Sequence, residues 1–335
     1  MGLDKSLGQP DKERLLAALN HEKGDRVPNW EILVDDRATR HILGLPQVGE
    51  RITLWSLPPK EAVRLVNATG QDAIICSLTV SGIEDGSILN DADYDQLKLP
   101  DPTLARKKMQ SWIEAVSGTS VGLFARVSGP LTCTYMTTGP VPIESFMYLL
   151  YDNLPLIERM MDDFVDYHIG VLESIADLPF DFFYIGDDVS STTGPLISPD
   201  HLQTLWAPRT ARLVKAAKAI GKPIIFHCCG MQAPILPYLL EWGIDAVHPL
   251  QPVANDIYAV KAKYGKRLTL VGNIDAAKEL SFGSEEEVRQ SVREHIDQLA
   301  DGAYVVCSSH SIIDSVKPEN YLAMCDETQK YGVYR

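Results

Sequence analysis

A chain of 335 residues with 45% hydrophobic and 23% charged side chains has the apolar content of a globular protein with a large core. Its 45 acidic against 31 basic residues give a formal net charge of −14, which repels a phosphate backbone and argues against nucleic acid as a partner. No apolar run approaches the ~20 residues of a membrane span, Met1–Lys5 opens no signal-peptide core, and the six cysteines lack disulfide-framework spacing, so the expected location is the cytoplasm.

In chain order, Asp11 to Leu19 reads as a leading helix, and Arg26-Val27-Pro28 opens a first strand through Trp30, Ile32 and Val34. Further short apolar runs follow at 72–76, 122–127 and 182–186. Between the last two of these, a long helical stretch from about 143 to 176 is expected to break near Asn153-Leu154-Pro155. The second half supplies runs at 223–226, 244–248, 268–272 and 303–307. Ser284-Glu285-Glu286-Glu287 forms a capping box ahead of Val288, Val292, Ile296 and Leu299, and Pro318 starts a last helix. Eight β runs with helices between them predict an α/β fold, a (β/α)8 TIM barrel, as a single domain over 1–335 with an N-terminal helical extension.

In such a barrel, function sits where strands end, and the chain concentrates unusual polar residues there. The most informative is His227-Cys228-Cys229-Gly230, after Pro223-Ile224-Ile225-Phe226. Alternation along a strand sends His227 and Cys229 to one side and Cys228 to the other, and an imidazole beside a thiolate is half of a zinc site. Cys307, ending the eighth run, is the third candidate ligand or a core thiol, while His310 either replaces it or acts beside it. Three protein ligands leave an open fourth position, the catalytic pattern.

Asp187 and Asp188 follow the fourth run and suit a general acid, a substrate anchor or a partner for the His227 ring; one is expected to cap its loop. Glu31 is either a site carboxylate or a surface residue of an alternating strand. His248 packs at a strand end or contacts substrate, and Tyr184 and Asn273 are candidate hydrogen-bonding groups of the pocket. The remaining histidines, 21, 41, 168, 201 and 295, read as solvated or structural, and Cys133 and Cys325 lack metal-like spacing.

Glu13-Arg14-Leu15-Leu16-Ala17-Ala18-Leu19, Asp25-Arg26-Val27-Pro28, Ile185-Gly186-Asp187-Asp188, His227-Cys228-Cys229-Gly230, Val271-Gly272-Asn273-Ile274-Asp275 and Pro318-Glu319-Asn320 together resemble the uroporphyrinogen decarboxylase superfamily, in family order over nearly the whole chain. The resemblance implies the (β/α)8 barrel. The decarboxylase's arginine-rich segment after the first strand is absent, replaced by Glu31-Ile32-Leu33-Val34-Asp35-Asp36-Arg37, and its aspartate motif after the second gives way to Cys76-Ser77-Leu78-Thr79.

The zinc-dependent corrinoid methyltransferase branch is the nearer likeness. It implies His227, Cys229 and a later residue as Zn2+ ligands, that later position falling nearer His310 than Cys307. It also implies catalytic or positioning roles for Asp187, Asp188 and Glu31, and a corrinoid (cobalamin) supplied by a separate corrinoid protein. Similarity to O-demethylating members implies a small methoxylated aromatic donor and a cobalt(I) acceptor. Transfer from methylcobalamin to a thiol such as coenzyme M, and decarboxylase-like lyase chemistry, are the competing expectations.

Overall fold

The computed structural model describes residues 8–79 and 87–334; the opening Met1–Lys5, read for a signal peptide, lies outside them. Strands form at β1 Ala73–Ser77, β2 Gly122–Ser128, β3 Phe182–Gly186, β4 Ser190–Ser191, β5 Gly194–Pro195, β6 Ile224–His227, β7 Ala246–His248, β8 Thr269–Val271 and β9 Tyr304–Val305. Seven of them make one parallel sheet in the order β1-β2-β3-β6-β7-β8-β9, with helices between successive strands. The chain is thus an α/β barrel of the expected kind, in which each strand pairs with its neighbour in sequence apart from the small β4–β5 hairpin.

The eighth stave is where expectation and structure part. The segment predicted as the first strand makes only isolated bridges, antiparallel from Arg26 to Val333 and parallel from Asn29 to Val306 and from Val34 to Ile312. Pro28 has no N–H to give to a ladder, and the Asn29 N–H donates to the Asp72 carboxylate at 2.9 Å instead. The segment still closes the sheet. Trp30 N–H donates to Val306 O at 3.2 Å on one side, and Asp72 N–H donates to Asn29 O at 2.8 Å on the other.

Alternation sorts the core into two layers. Trp30, Phe124, Phe182, Tyr184, Ile225, Ala246 and Val305 fill the barrel interior. The Phe124 ring lies 4.6 Å from Phe182 and 4.8 Å from Trp30, centroid to centroid. Val127, Phe183, Ile185, Phe226, Cys228 and Val247 instead meet the surrounding helices. The local signals hold at several helices. Asp11 caps Lys12–Leu19, Ser284 and Glu287 form the capping box of Glu285–Leu299, Pro318 opens Pro318–Tyr331, and the long stretch splits into Pro142–Asp152 and Leu154–Ile175 at Asn153. No helix among the described residues is long and apolar enough to cross a membrane.

Candidate metal centre

The inward alternation continues past the packed interior. Two residues beyond Phe124, Ile225, Ala246 and Val305 stand Arg126, His227, His248 and Cys307, and neighbouring-strand register sets Gly186, His227 and His248 side by side. Polar side chains thereby replace apolar ones in the layer nearest the strand ends.

The turn that follows β6 is fixed by its backbone. Gly230 has φ +74°, and a Cβ there would lie 2.2 Å from Ser191 O, so this position requires glycine. Gly230 N–H donates to Gln251 Oε1 at 2.6 Å, and Gln232 Nε2 donates to the carbonyls of Cys228 and His248 at 2.8 and 2.7 Å. Gln232 ties the ends of β6 and β7 together, a role its position in sequence did not announce.

His227, Cys229 and Asp188 converge. Their ligand atoms all lie within 4.8 Å of one another. His227 Nε2 is 3.4 Å from Cys229 Sγ and 3.3 Å from Asp188 Oδ1. Zn–N, Zn–O and Zn–S bonds of about 2.0–2.3 Å in a tetrahedron put ligand atoms roughly 3.3–3.8 Å apart, so these two separations match edges of such a site. Cys229 N–H also donates to Asp188 Oδ1 at 2.8 Å. Burial opposes charge on Asp188, but bonding and attraction from His227 with the Cys229 N–H outweigh it and hold the carboxyl well below its usual range. Burial, and then the Asp188 charge, push the Cys229 thiol up. A carboxylate and a thiolate in contact repel unless a cation lies between them, and the donor set therefore fits zinc.

The other expected residues take distinct places. Asp187 turns away: it accepts from Thr132 N–H at 2.7 Å and Trp206 Nε1 at 2.8 Å, and burial pushes its carboxyl up to about 6. Trp206 reaches it from Leu202–Trp206, a single turn of π-helix that shifts the register of the helix it precedes. Asp187 is thus the aspartate that anchors its loop.

His248 Nδ1 lies 2.7 Å from His227 Nδ1, and its Nε2 lies 3.2 Å from Cys307 Sγ. Cys307 Sγ in turn lies 3.5 Å from Glu31 Oε2. Cys307 accordingly sits against the face of His248 remote from His227. Glu31 is fully buried, so the surface option is closed; Ser308 N–H and Oγ donate to its two oxygens at 2.6 and 2.7 Å, and burial pushes it up to about 8.

His310 approaches from the other side, its ring edge-on to His227 at 6.4 Å and its Nδ1 buried without a partner. The Tyr184 ring lies 5.7 Å from His227, and its hydroxyl also lacks a partner. Asn273 is not brought into this group. Gly272, at φ +132°, turns the chain out of the strand, and Asn273 bonds Leu250 O and His295 Nε2 beside a separate cavity of about 500 Å³.

A cavity of about 340 Å³ opens beside the cluster, with Asp188, Arg126, Thr132, Tyr135 and Phe164 in its wall. Arg126 was not among the residues singled out by sequence. Its signal was present as a charge inside the apolar run Gly122-Leu123-Phe124-Ala125-Arg126-Val127, in phase with inward-facing Phe124.

The uroporphyrinogen decarboxylase (URO-D) family model matches residues 59–331. A methylated-thiol–coenzyme M methyltransferase of Methanosarcina mazei is 28% identical over 139 residues, 41% of this chain and 36% of that protein. The aligned stretch thus spans about a third of that relative. A solved methyltransferase structure from Methanosarcina mazei superimposes with a TM-score of 0.70 at 19% identity, covering 97% of this chain and 99% of that one, a likeness of fold. A B12-independent methionine synthase from a Shewanella species reaches only 0.46 at 13% identity, covering 70% and 67%, and is too distant to bear on function.

Proposed function

The chain belongs to the uroporphyrinogen decarboxylase family, and from that premise we propose that it is a zinc-dependent methyltransferase acting with a separate corrinoid protein. In this reading a methyl group passes from a small methoxylated aromatic to the corrinoid's cobalt(I). The observation that carries it is the convergence of His227, Cys229 and Asp188 at zinc-like spacing beside a cavity with aromatic walls.

His227 Nε2, Cys229 Sγ and an Asp188 oxygen would hold the ion. Zinc bound there supplies Lewis-acid stabilisation of the ether oxygen as the methyl carbon leaves it. His248 orients the His227 ring from behind through the Nδ1–Nδ1 contact, and Cys307 with Glu31 backs His248. Asp187 positions Asp188 by anchoring the shared loop to Thr132 and Trp206. Methyl transfer leaves the bonding pair on the aryl oxygen. His310, with its partnerless Nδ1, hydrogen-bonds that oxygen, and Tyr184 offers its unpartnered hydroxyl to the ring substituents. Asn273 spends its amide on Leu250 and His295 and serves as scaffold.

The partial likeness to a methylated-thiol–coenzyme M methyltransferase supports a second reading in which the same cluster binds a thiol acceptor. Both readings are tested by incubating the zinc-loaded protein with a reduced corrinoid protein and a panel of methoxyarenes, and separately with a methylated corrinoid protein and thiols. Methylation of the corrinoid by an aryl ether is the expected result. Turnover with thiols alone would select the second reading, and a wild-type protein that takes up no zinc when supplied with it and is inactive in both arms would overturn both.

A further inference from the structure

Among the described residues, no bonded anion balances the charge of Arg126. Its Nη1 donates to Ser77 Oγ at 2.9 Å, and its guanidinium lies 4.4 Å from the centroid of the Trp55 ring. Its Nε is buried without a partner. Among the described residues, the ionisable groups acting on it include Tyr184, Cys133, Asp188 and His168. None of these bonds to it, and Asp188 is already committed to His227 and the Cys229 N–H.

A guanidinium stays protonated under all ordinary conditions, so burying it without an anion is costly. Such a cost persists where a ligand offsets it. With Nη1 held by Ser77, the edge formed by Nε and Nη2 is the one left for a ligand, and a planar two-oxygen anion matches that fork. Arg126 and Asp188 of the metal cluster both line the cavity, with Tyr135 and Phe164 also in its wall. Its volume of about 340 Å³ suits a single small molecule.

We propose that Arg126 binds an anionic group, a carboxylate or sulfonate, on the far end of the substrate whose reacting atom faces His227, Cys229 and Asp188. The inference rests on the methyltransferase reading for the identity of the reacting end. It restricts the substrate class to small anions: methoxylated aryl carboxylates in the first reading, a thiol sulfonate in the second.

The test is calorimetric titration of the zinc-loaded protein with 3-methoxybenzoate, its uncharged carboxamide 3-methoxybenzamide, and the thiol sulfonate coenzyme M. Wild type is expected to bind one of the two anions, and the preferred anion identifies its source. If that anion is the benzoate, it should bind about 10- to 100-fold more tightly than the amide, the range of one charge-assisted bidentate contact. Arg126→Gln should weaken the anion by the same factor and leave the amide unchanged, and Arg126→Lys should fall between, keeping charge but losing the fork. Circular-dichroism melting checks that each variant is folded.

Equal affinity of wild type for benzoate and amide without binding of the sulfonate, wild type binding neither anion, or an Arg126→Gln variant that holds the anion as tightly as wild type would each overturn the proposal. The wild-type comparison needs no variant and survives a failure of Arg126→Gln to fold. Because binding requires neither corrinoid nor turnover, Arg126-dependent anion binding without methyl transfer would refute the methyltransferase reading alone. Methyl transfer from ethers without anion preference would refute this inference alone.

Discussion

Asp72→Asn should weaken the barrel at its irregular stave. The Asp72 carboxylate is wholly buried and accepts from the N–H groups of Asn29 and Asp11, both at 2.9 Å, and from Arg14 Nη1 at 2.9 Å and Arg26 Nη2 at 3.4 Å. The amide keeps one acceptor oxygen, turns an NH2 toward groups that are themselves donors, and leaves the Arg26 guanidinium without its bonded anion and Arg14 with Asp25 alone. Removing one partner of a buried pair costs about 3–5 kcal/mol. With an unfolding entropy of about 2.1 cal/mol/K per residue over 335 residues, that loss lowers the melting temperature by roughly 4–7 °C. The internal control is Asp25→Asn. It removes the other partner of Arg14, but Asp25 is 64% exposed in its side chain, and such a pair is worth about 0–1 kcal/mol. Urea unfolding of both variants, followed by circular dichroism, gives the comparison. A loss below about 1 kcal/mol for Asp72→Asn, or equal losses for the two, would show that the backbone bridges to Val306 close the barrel unaided and would refute the argument.

Metal analysis after expression in zinc-supplemented medium should find wild type near one ion per chain, His227→Ala and Cys229→Ser depleted, and Cys307→Ser close to wild type, since His248 stands between Cys307 and His227. Loss of metal in Cys307→Ser would transfer the third ligand from Asp188 to the cysteine. Burial pushes His168 down to about 4, so the folded protein holds it neutral. The stability it contributes is present above the usual value of 6.5 and is lost as pH falls from there towards 4, by up to about 3 kcal/mol. His168→Gln should flatten that part of the stability profile in urea titrations at stepped pH; an unchanged slope would assign the acid sensitivity elsewhere. Phe124→Ala opens a hole between Trp30 and Phe182 and should cost about 3–5 kcal/mol, measured by the same unfolding assay. A loss under 2 kcal/mol would mean that the barrel interior collapses around the gap.

The barrel was readable from the chain because its strands are short β-rich runs spaced by amphipathic helices, and both periods are local. Seven of the eight runs formed strands. The first was recognised by its apolar residues, but Pro28 and the side chain of Asp72 disrupt its ladder, and the Asp72 contact joins residues 43 apart in sequence. His227 and Cys229 were legible for the same local reason, one strand end and one alternation. Asp188 was read as a candidate without being seen as the third member of the cluster, because that depends on how β3 and β6 are spliced by register. Asp187 and Asp188 are indistinguishable as neighbours in sequence; only Thr132 and Trp206, brought in by other elements, separate anchor from cluster member. Arg126 was hidden inside a strand that read correctly, since strand patterning records apolar content and passes over the exception.

The row of contacts from His227 through His248 and Cys307 to Glu31 also has a polarity. Two Nδ1 atoms facing each other at 2.7 Å share one hydrogen between them. For His227 to present a lone pair at Nε2, that hydrogen must sit on its own Nδ1, so His248 receives there and carries its hydrogen on Nε2. Cys307 sulfur then receives from His248 and passes its S–H to Glu31. Every donor in the row points away from the cluster, and reversing one link requires reversing all of them. Glu31, at the far end, thus takes part in choosing the tautomer that His227 offers to a metal, through two intervening side chains and without approaching the ion.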